Sequence, residues 1–343
     1  MLGPPALPRT LEASLRDLGS ARPEVRASAV PDLVRHARTD EAVRDKALPL
    51  LAARLTDDDP RVRAAAAVAL GDLVAKERVD ALLAAVDDGD PHVRQMALNA
   101  LGEIGDPRAA ARLRKALRDG RPEVRYQAII AYPRVSDDAG AIDQALLDAT
   151  NDDDDAIAHI ALRVAEERLD KGERPDERLL ARARAIVKSG SPHLVLVAAI
   201  LLAKAGDAVA NPILLRVARG ERIAGQKPEK EDEQAAVELT GEIGLREAIP
   251  ALERRVWGLG RLLRDACVFH AKIALARMGH ARATAEILAD LEAERPDVLG
   301  AAVVASGRAR IAKARPLLAR LTAAAVDPEL VAEALRRLDE ERA

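Results

Sequence analysis

The feature that most constrains this chain is a helical sequence pattern that recurs every 31 residues. An Asp-Pro-x-Val-Arg opening begins at Asp59 and again at Asp90, and a related Arg-Pro-Glu-Val-Arg opening follows at Arg121. The closing Ala-Leu-Gly recurs at the same interval, at Ala69 and Ala100. A fixed period of this size is typical of a solenoid, in which each repeat buries its apolar face only against its neighbours. The sequence therefore predicts an all-α fold of stacked helical hairpins.

A single repeat contains the signals for two helices. Asp90 is a good N-cap and Pro91 a good first helical residue, because proline lacks an N–H that the helix would leave unpaired. Gly105 permits a helix stop, and Asp106 with the following proline begins a second helix by the same chemistry. The apolar residues at helical spacing on the first helix are Val93, Ala97, Ala100, Leu101 and Ile104. The predicted unit is therefore helix, short turn, helix, short turn.

The same frame extends over most of the chain. Besides the three clear copies, we predict units that begin near Arg22, Asp154 and Ser191, and three more around Gly241, Ala274 and Pro296. This makes about nine helical hairpins in one array over residues 1–343. Residues 1–20 are predicted to form an N-terminal segment or cap, 21–325 the repeats, and 326–343 a polar capping helix. Residues 171–178 and 220–233 are charged and contain Gly and Pro, so we expect longer loops there, and the second is predicted to be a surface insertion, a hinge or a binding loop.

Composition narrows the classes of partner and compartment. Aromatic residues are only 1% of the chain, so the core must be packed with Ala, Leu, Val and Ile. The net charge is −3 with both signs mixed, which is not the basic stripe expected of a nucleic-acid-binding protein. The only cysteine is Cys267, the N-terminus lacks a secretory pattern, and the longest apolar run, 194–203, is too short for a membrane span. We predict a cytoplasmic protein with no nucleic-acid partner and no membrane insertion.

The sequence of the repeat resembles the HEAT repeat family, and in particular its short bacterial branch related to the phycobilin lyase repeats. The resemblance depends on the Asp-Pro-x-Val-Arg openings, on Ala97 and its counterparts, and on the Ala-Leu-Gly-x-Ile-Gly closings. It covers residues 20–340, most strongly 57–125. It implies a right-handed α-α superhelix whose concave side is lined by the helix that opens with Asp-Pro-x-Val-Arg. The aromatic positions of tetratricopeptide repeats and the Thr-Pro-Leu-His phrase of ankyrin repeats are not present.

A helical wheel then predicts which residues face the concave groove. In the third repeat, the direction opposite the apolar face falls on Gln95 and Asn99. Two of the four aromatic residues, Tyr126 and Phe269, fall on equivalent positions and are typical anchors of an interaction site. The predicted partner-binding residues are Gln95, Asn99, Tyr126, Ile130, His159, Arg163, Leu196, Ile200, Gln234, Phe269 and Ile273. The alternative interpretation is that neighbouring helices bury these positions as core between repeats.

The sequence contains no assembled catalytic, cofactor or metal constellation. Cys267, His270 and His280 lie close in sequence but lack a further Cys-His pair or carboxylate at ligand spacing. The acidic run 152–155 lacks the spacing of a calcium loop and is predicted to be a helix cap. The His-Glu pairs of the HEAT-like deoxyhypusine hydroxylases are not found either. We therefore predict no catalytic residues, no metal and no cofactor.

These observations favour a non-enzymatic scaffold or adaptor that binds a protein or peptide segment in the concave groove. Two alternatives come from the resemblance alone. One is an enzyme subunit of the phycobilin lyase or isomerase kind, which would act on a bilin. The other is a DNA-binding solenoid similar to the HEAT-like alkylpurine glycosylases, which the net charge and the mostly apolar groove disfavour.

Overall fold

The computed structural model describes residues 9–258, 265–321 and 325–339, and these residues form twenty α-helices joined by short turns. They divide into two compact units, Met1–Glu167 and Arg168–Ala343. Along the described chain, α2 to α9 alternate as four consecutive helix pairs and α12 to α19 as four more, which confirms the predicted all-α fold of helical hairpins. No helix of the described residues is both long enough and apolar enough to cross a membrane.

We call the first helix of each repeat an A helix and the second a B helix. In the first unit, α1 (Leu11–Asp17) precedes the repeats. The A helices are α2 (Pro23–Ala37), α4 (Pro60–Asp72), α6 (Pro91–Ile104), α8 (Pro122–Val135) and α10 (Asp155–Asp170). The B helices that follow the first four are α3 (Glu41–Arg54), α5 (Val79–Ala85), α7 (Ala110–Ala116) and α9 (Ala139–Ala149).

The second unit repeats this alternation. Its B helices are α11 (Glu177–Ser189), α13 (Asn211–Ala218), α15 (Ile249–Trp257), α17 (Ala281–Asp290) and α19 (Arg315–Leu318). Its A helices are α12 (Pro192–Lys204), α14 (Lys230–Glu242), α16 (Val268–Arg277), α18 (Pro296–Arg308) and the C-terminal α20 (Pro328–Asp339). The predicted capping helix is α20, which buries Ala334 and Leu338 and packs on α18 and α19.

Small residues let successive A helices approach closely. In the first unit, α2, α4, α6 and α8 each pack against the next. A Cβ atom built on Gly71 would lie 2.8 Å from the Cα of Ala100, and one built on Gly102 would lie 2.8 Å from the Cβ of Ala131. Because interiors are packed to crystal density, these contacts leave no space for a larger side chain. The predicted glycines therefore set the distance between repeats.

Helix ends follow the predicted chemistry. The Asp90 carboxylate accepts from the backbone N–H groups of His92 and Val93 at 2.8 and 3.3 Å. After most A helices, one residue takes the left-handed conformation, as Gly105 does with φ 69°. The same position is occupied by Val74 with φ 47°, which is an unusual conformation for a β-branched side chain.

Arginine–aspartate pairs join consecutive repeats of the first unit. In each of the first four repeats, the arginine that ends the x-Pro-x-Val-Arg opening donates from Nε to an aspartate of the next repeat's opening loop at 2.8 to 2.9 Å. Each also donates to a carbonyl oxygen just before its own helix, as Arg94 does to Asp88 O at 2.9 Å. The pairs are Arg26–Asp57, Arg63–Asp88, Arg94–Asp119 and Arg125–Asp152. These arginines therefore hold repeats together, as an interrepeat ladder.

The ladder lowers the pKa values of its carboxylates. Burial alone would raise the pKa of Asp57, but hydrogen bonds from Arg26 and from the Asp59 backbone outweigh it and lower the pKa to about 2. The hydrogen bond from Arg125 likewise lowers the pKa of Asp152. Within the acidic run 152–155, Asp152 thus belongs to the ladder, and Asp154 accepts from the Ala156 N–H at 2.8 Å. The predicted helix cap is confirmed at Asp154.

The two predicted loops are present with slightly shorter bounds. Helix α11 begins at Glu177, and α14 begins at Lys230. The second loop contains a tight turn in which Ile223 and Gln226 exchange backbone hydrogen bonds of 2.8 and 2.9 Å. Ala224 and Gly225 both have positive φ, the geometry of a type I′ turn. Ile223 is buried, so this loop is anchored in the second unit.

Candidate functional site

The outward faces of the A helices of the first unit form one aligned surface. On α4, exposed or half-buried residues recur at Arg61, Ala65, Val68 and Asp72, the spacing of one helix face. The same spacing continues 31 residues later on α6 and again on α8. We define the A-face stripe as the middle of this surface: Ala65, Val68, Met96, Asn99, Tyr126, Gln127 and Ile130.

Ion pairs line both edges of the A-face stripe. At the opening end of the helices, Arg61 pairs with Glu24 at 3.3 Å. At the closing end, Arg38 pairs with Asp72 at 3.4 Å, and Arg134 pairs with Glu103. These six edge charges are thus paired with one another, whereas the stripe itself carries only apolar and uncharged polar side chains. This is an apolar band with a charged rim.

Tyr126 and two amide side chains occupy the centre of the stripe. Tyr126 is half-buried, and its hydroxyl makes no hydrogen bond to any described residue. Gln127 donates from Nε2 to the Asn99 Oδ1 at 3.1 Å, which links α8 to α6 across the face. A partly buried tyrosine normally finds a partner for its hydroxyl. The stripe therefore offers a rigid aromatic group with an open hydrogen-bonding end.

The predicted residues of the first unit all lie at least partly accessible on the A helices. Gln95, Asn99, Tyr126, Ile130 and His159 are half-buried. Arg163, the only cation predicted for the groove, is also half-buried and pairs with Glu166 at 2.6 Å. Whether these residues bind a partner stays a prediction.

Sequence reasoning missed Met96 and Gln127, because the wheel was rotated by one residue at the first of its two positions. On α4, the residue equivalent to Gln95 is Ala64, which is buried, whereas the next residue, Ala65, is half-buried. At the second position, the residues of the first unit, which include Val68, Asn99 and Ile130, are half-buried. The charged residues Arg61 and Asp72 could have shown which face is outward. Helix positions three or four residues apart share a face, so Ala65 and Val68 lie between these two charges on the same face.

Three predicted groove residues are wrong as exposed positions, because the structure buries them in the second unit. Leu196 and Ile200 are 5% and 0% exposed, and Ile273 is 1% exposed. On α12, every residue in the run 194–203 is buried, because α11, α13 and α14 all pack against this helix. In addition, Gln226 of the α13–α14 loop reaches His193, at the opening of α12.

A charged cluster links three A helices of the second unit around α16, the helix that carries Ile273. Glu238 on α14, itself buried, lies 2.9 Å from the Nδ1 of His270 on α16 and 2.8 Å from the Nε of Arg308 on α18. The Glu238–Arg308 pair joins the helices on either side of α16. Ile273 lies on α16 and is core, as the alternative interpretation predicts.

The other two predicted residues of the second unit are half-buried. Gln234 donates from Nε2 to the carbonyl oxygen of Ala266 at 2.9 Å, so it joins α14 to the start of the next repeat. Phe269 packs edge-on against His270, with ring centroids 5.5 Å apart. Phe269 also lines a cavity of about 470 Å³ between α16 and α18.

Cys267, His270 and His280 have separate environments. His270 faces Glu238, whereas His280 contacts Glu253 at 3.0 Å and lies 5.2 Å from the Trp257 ring. Cys267 is fully buried, and burial raises the pKa of its thiol to about 11, which keeps it protonated at neutral pH. Among the described residues, no three His, Cys, Asp or Glu side chains are grouped so that they could hold a metal ion.

Comparison with known proteins identifies the class of the repeats. A family profile for HEAT repeats matches residues 47–133, which confirms that the chain contains HEAT repeats. The profile describes HEAT repeats in general, and the narrower likeness to the short bacterial branch stays a prediction. The comparison with curated proteins returned no match.

Solved structures of helical solenoids share the fold. Escherichia coli YibA is similar over 80% of this chain and 93% of its own, with 14% identity and a TM-score of 0.56. Kap121p is similar over 96% of this chain and 41% of its own, with 12% identity and a TM-score of 0.60. Importin β, crystallised in ammonium sulfate, is similar over 96% and 51%, with 16% identity and a TM-score of 0.51. At these identities the likeness shows the fold alone.

Proposed function

We propose that this protein is a non-enzymatic interaction scaffold, and that the A-face stripe binds a protein or peptide segment. The observation that carries the proposal is the half-buried, unpaired Tyr126 beside Ile130 in an uncharged band whose rims are internally paired. Tyrosine contributes a large contact area at low entropic cost and is enriched among the residues that dominate binding energies. The HEAT-repeat fold is consistent with such a role.

The surface around the A-face stripe has few unpaired charges that a partner could bind. Because Arg61, Asp72 and Glu103 are already paired, an incoming chain gains little from charge–charge contacts on this surface. Apolar side chains of the partner would instead pack on Met96, Tyr126 and Ile130, and its polar backbone would meet the Asn99 and Gln127 amides. Phe269, beside the cavity between α16 and α18, is a second candidate anchor, and with it Gln234.

Cellular location and excluded partners belong to the same proposal. A buried, protonated Cys267 agrees with a protein of the reducing cytoplasm. The neutral stripe does not resemble a nucleic-acid surface, which needs a row of unpaired cations. Neither the bilin nor the DNA alternative is favoured by a specific contact of the described residues.

The test is a double variant of the stripe, Tyr126→Asp with Ile130→Asp. Because both side chains are half-buried rather than core, we expect capture of the partner to fall by about tenfold or more, with the melting temperature lowered by only a few degrees. The measurement is affinity capture from a lysate followed by mass spectrometry, with thermal unfolding followed by circular dichroism.

The matched control carries the same chemical change on exposed apolar residues outside the stripe, Leu15→Asp with Leu50→Asp. It should retain the captured proteins. A sharp fall in melting temperature of the stripe variant, together with unchanged capture, would show that Tyr126 and Ile130 are core and would reject the proposal.

A further inference from the structure

A cleft opens between the B helices α7 and α9, on the side of the first unit away from the A-face stripe. It has a volume of about 880 Å³. Its floor is apolar and contains Ile129 and Ile157, both nearly fully buried, together with Leu117. Short side chains form part of its walls, among them Ala141 and Ala145 of α9. A cleft of this size is within the range of specific ligand sites.

The turn between α8 and α9, the helix that forms one wall of the cleft, departs from the repeat. Where α6 ends with Gly102 and the left-handed Gly105, the corresponding residues of α8 are Pro133 and Ser136. Ser136 is extended, and α9 begins directly after the N-cap Asp138, with no intervening 3-10 turn. Helix α9 is therefore longer than α7 and leaves its A helix by a different route.

The charges between neighbouring B helices are also reversed at this point. Between α5 and α7, the charges attract: Asp87, which follows α5, pairs with Arg112 and Lys115 of α7. In the next repeat, the counterpart of Asp87 is Arg118, and the counterpart of Lys115 is Asp148. Arg118 forms no ion pair with any described residue, and Asp148 accepts a hydrogen bond from Gln144 instead. The bridge that joins α5 to α7 is therefore missing between α7 and α9.

The resulting lip carries unneutralised positive charge. Arg114 and Arg118 are exposed, and neither makes an ion pair within the described part of the chain. Arg112 and Lys115 share the single carboxylate of Asp87. The ladder carboxylates at the base of the cleft, Asp88, Asp119 and Asp152, are already paired with arginines. The mouth is therefore net positive above an apolar floor.

We propose that the α7–α9 cleft binds a short acidic segment of a partner protein. Apolar side chains of that segment pack on Leu117 and on Ala141 and Ala145 of α9, and its carboxylates pair with Arg114 and Arg118. A protein segment suits this site better than a nucleic acid, because the described lining contains no aromatic side chain for base stacking and the opposite lip carries Asp148. This site is distinct from the A-face stripe, and either could exist without the other.

The experiment selects ligands without assuming their sequence. A phage library of random dodecapeptides is selected on the full chain, and the enriched peptides are measured by fluorescence anisotropy. We expect peptides that combine Asp or Glu with Leu, Ile or Phe, and we expect Arg114→Glu with Arg118→Glu to weaken them by about tenfold or more, since it reverses the lip charge. Ala145→Trp, which fills the cleft from α9, should weaken them as well.

Two controls make the result specific. Arg246→Glu with Arg320→Glu changes the net charge equally at exposed arginines elsewhere and should leave affinity unchanged. The stripe variant Tyr126→Asp with Ile130→Asp should also still bind these peptides, so that failure of this site and of the A-face stripe are separable. Circular dichroism checks that each variant is folded.

Several outcomes would overturn the proposal. The phage selection could enrich no peptide, or it could enrich neutral or basic peptides. The selected peptides could also bind the lip-reversed variant, Arg114→Glu with Arg118→Glu, as tightly as the wild type. A thymidine oligonucleotide that binds the wild type but not the lip-reversed variant, while acidic peptides bind neither, would identify a nucleic-acid site instead. A dimer that the lip reversal dissociates, observed by light scattering, would identify a second copy of the chain as the occupant.

Discussion

At the scale of single residues, the position that closes each A helix shows how a backbone conformation restricts the side chain. Gly105, Gly206, Gly244 and Gly279 occupy it with positive φ. After the last three, the N–H of the following residue donates to the carbonyl oxygen five residues earlier, and this six-to-one hydrogen bond ends the helix. In the second repeat, Ala75 N donates to Leu70 O at 3.0 Å in the same motif, but the left-handed residue is Val74. Glycine adopts this conformation without the clash that a branched Cβ introduces.

Val74→Gly should therefore stabilise the protein by about 0.5–1 kcal/mol, because relief of strain exceeds the entropy that glycine adds to the unfolded chain. The Val74 side chain is 47% exposed and so contributes little packing. Urea unfolding gives the free energy. As control, Ala181→Gly on the exposed side of α11 should destabilise by about 1 kcal/mol, since its backbone is helical. Equal effects of the two glycines would contradict the argument.

At the scale of elements, the contact between A helices reverses the usual effect of replacing a helical glycine. Gly102 lies within α6, where alanine would ordinarily be the better helix former. A Cβ atom at Gly102 would, however, meet Ala131 on α8, at 2.8 Å from its Cβ and 3.1 Å from its Cα. Gly300 on α18 has no heavy atom within 4 Å of such a Cβ.

Gly102→Ala should therefore destabilise the protein by about 1–3 kcal/mol, because α6 and α8 must move apart. Gly300→Ala should instead stabilise it by about 0.5–1 kcal/mol, through helix propensity alone. The two are compared by denaturant unfolding under the same conditions. A stabilising Gly102→Ala would show that the spacing of the A helices is not set by this glycine.

At the scale of the whole molecule, the arginine–aspartate ladder couples the stability of the first unit to pH. The folded pKa values of Asp57, Asp88, Asp119 and Asp152 are all lowered. A carboxylate whose pKa is lowered on folding stabilises the protein fully when the pH is above its unfolded pKa, about 3.9 for Asp. This stabilisation is lost as the pH falls through the folded pKa. For Asp57 that value is about 2, so the loss extends from about pH 4 to about pH 2.

Arg94→Met tests this coupling at one step of the ladder. At pH 7 it should lower the free energy of unfolding by about 1–2 kcal/mol, a modest value because solvent partly screens the pair with Asp119. The difference from wild type should shrink as pH falls below about 4, since the folded pKa of Asp119 is lowered and protonated Asp119 no longer needs the arginine. A difference that stays constant with pH, measured by urea unfolding, would refute the electrostatic account.

Much of this fold can be predicted from sequence because its signals are local. An aspartate before a proline caps a helix through its nearest N–H groups, and a recurring apolar stripe shows which face is buried. Such local contacts, or contacts with a similar neighbouring repeat, form the repeat openings at Asp59 and Asp90, the closing glycines and the capping helix α20. For the same reason the structural role of Arg94 could be expected from its repetition.

The sequence by itself therefore determined the helical repeat, its caps and the position of its A helices. Only the tertiary structure decided which outward positions remain accessible. Tyr126 and Ile130 stay at the surface, whereas Ile200 and Ile273, at equivalent places, are core. The physical reason is that burial depends on helices from other positions in the chain, such as α11, α13 and α14 around α12, and α14 and α18 beside α16. The irregular turn after α8 is likewise a departure from the repeat. A repeat's own sequence contains neither piece of information.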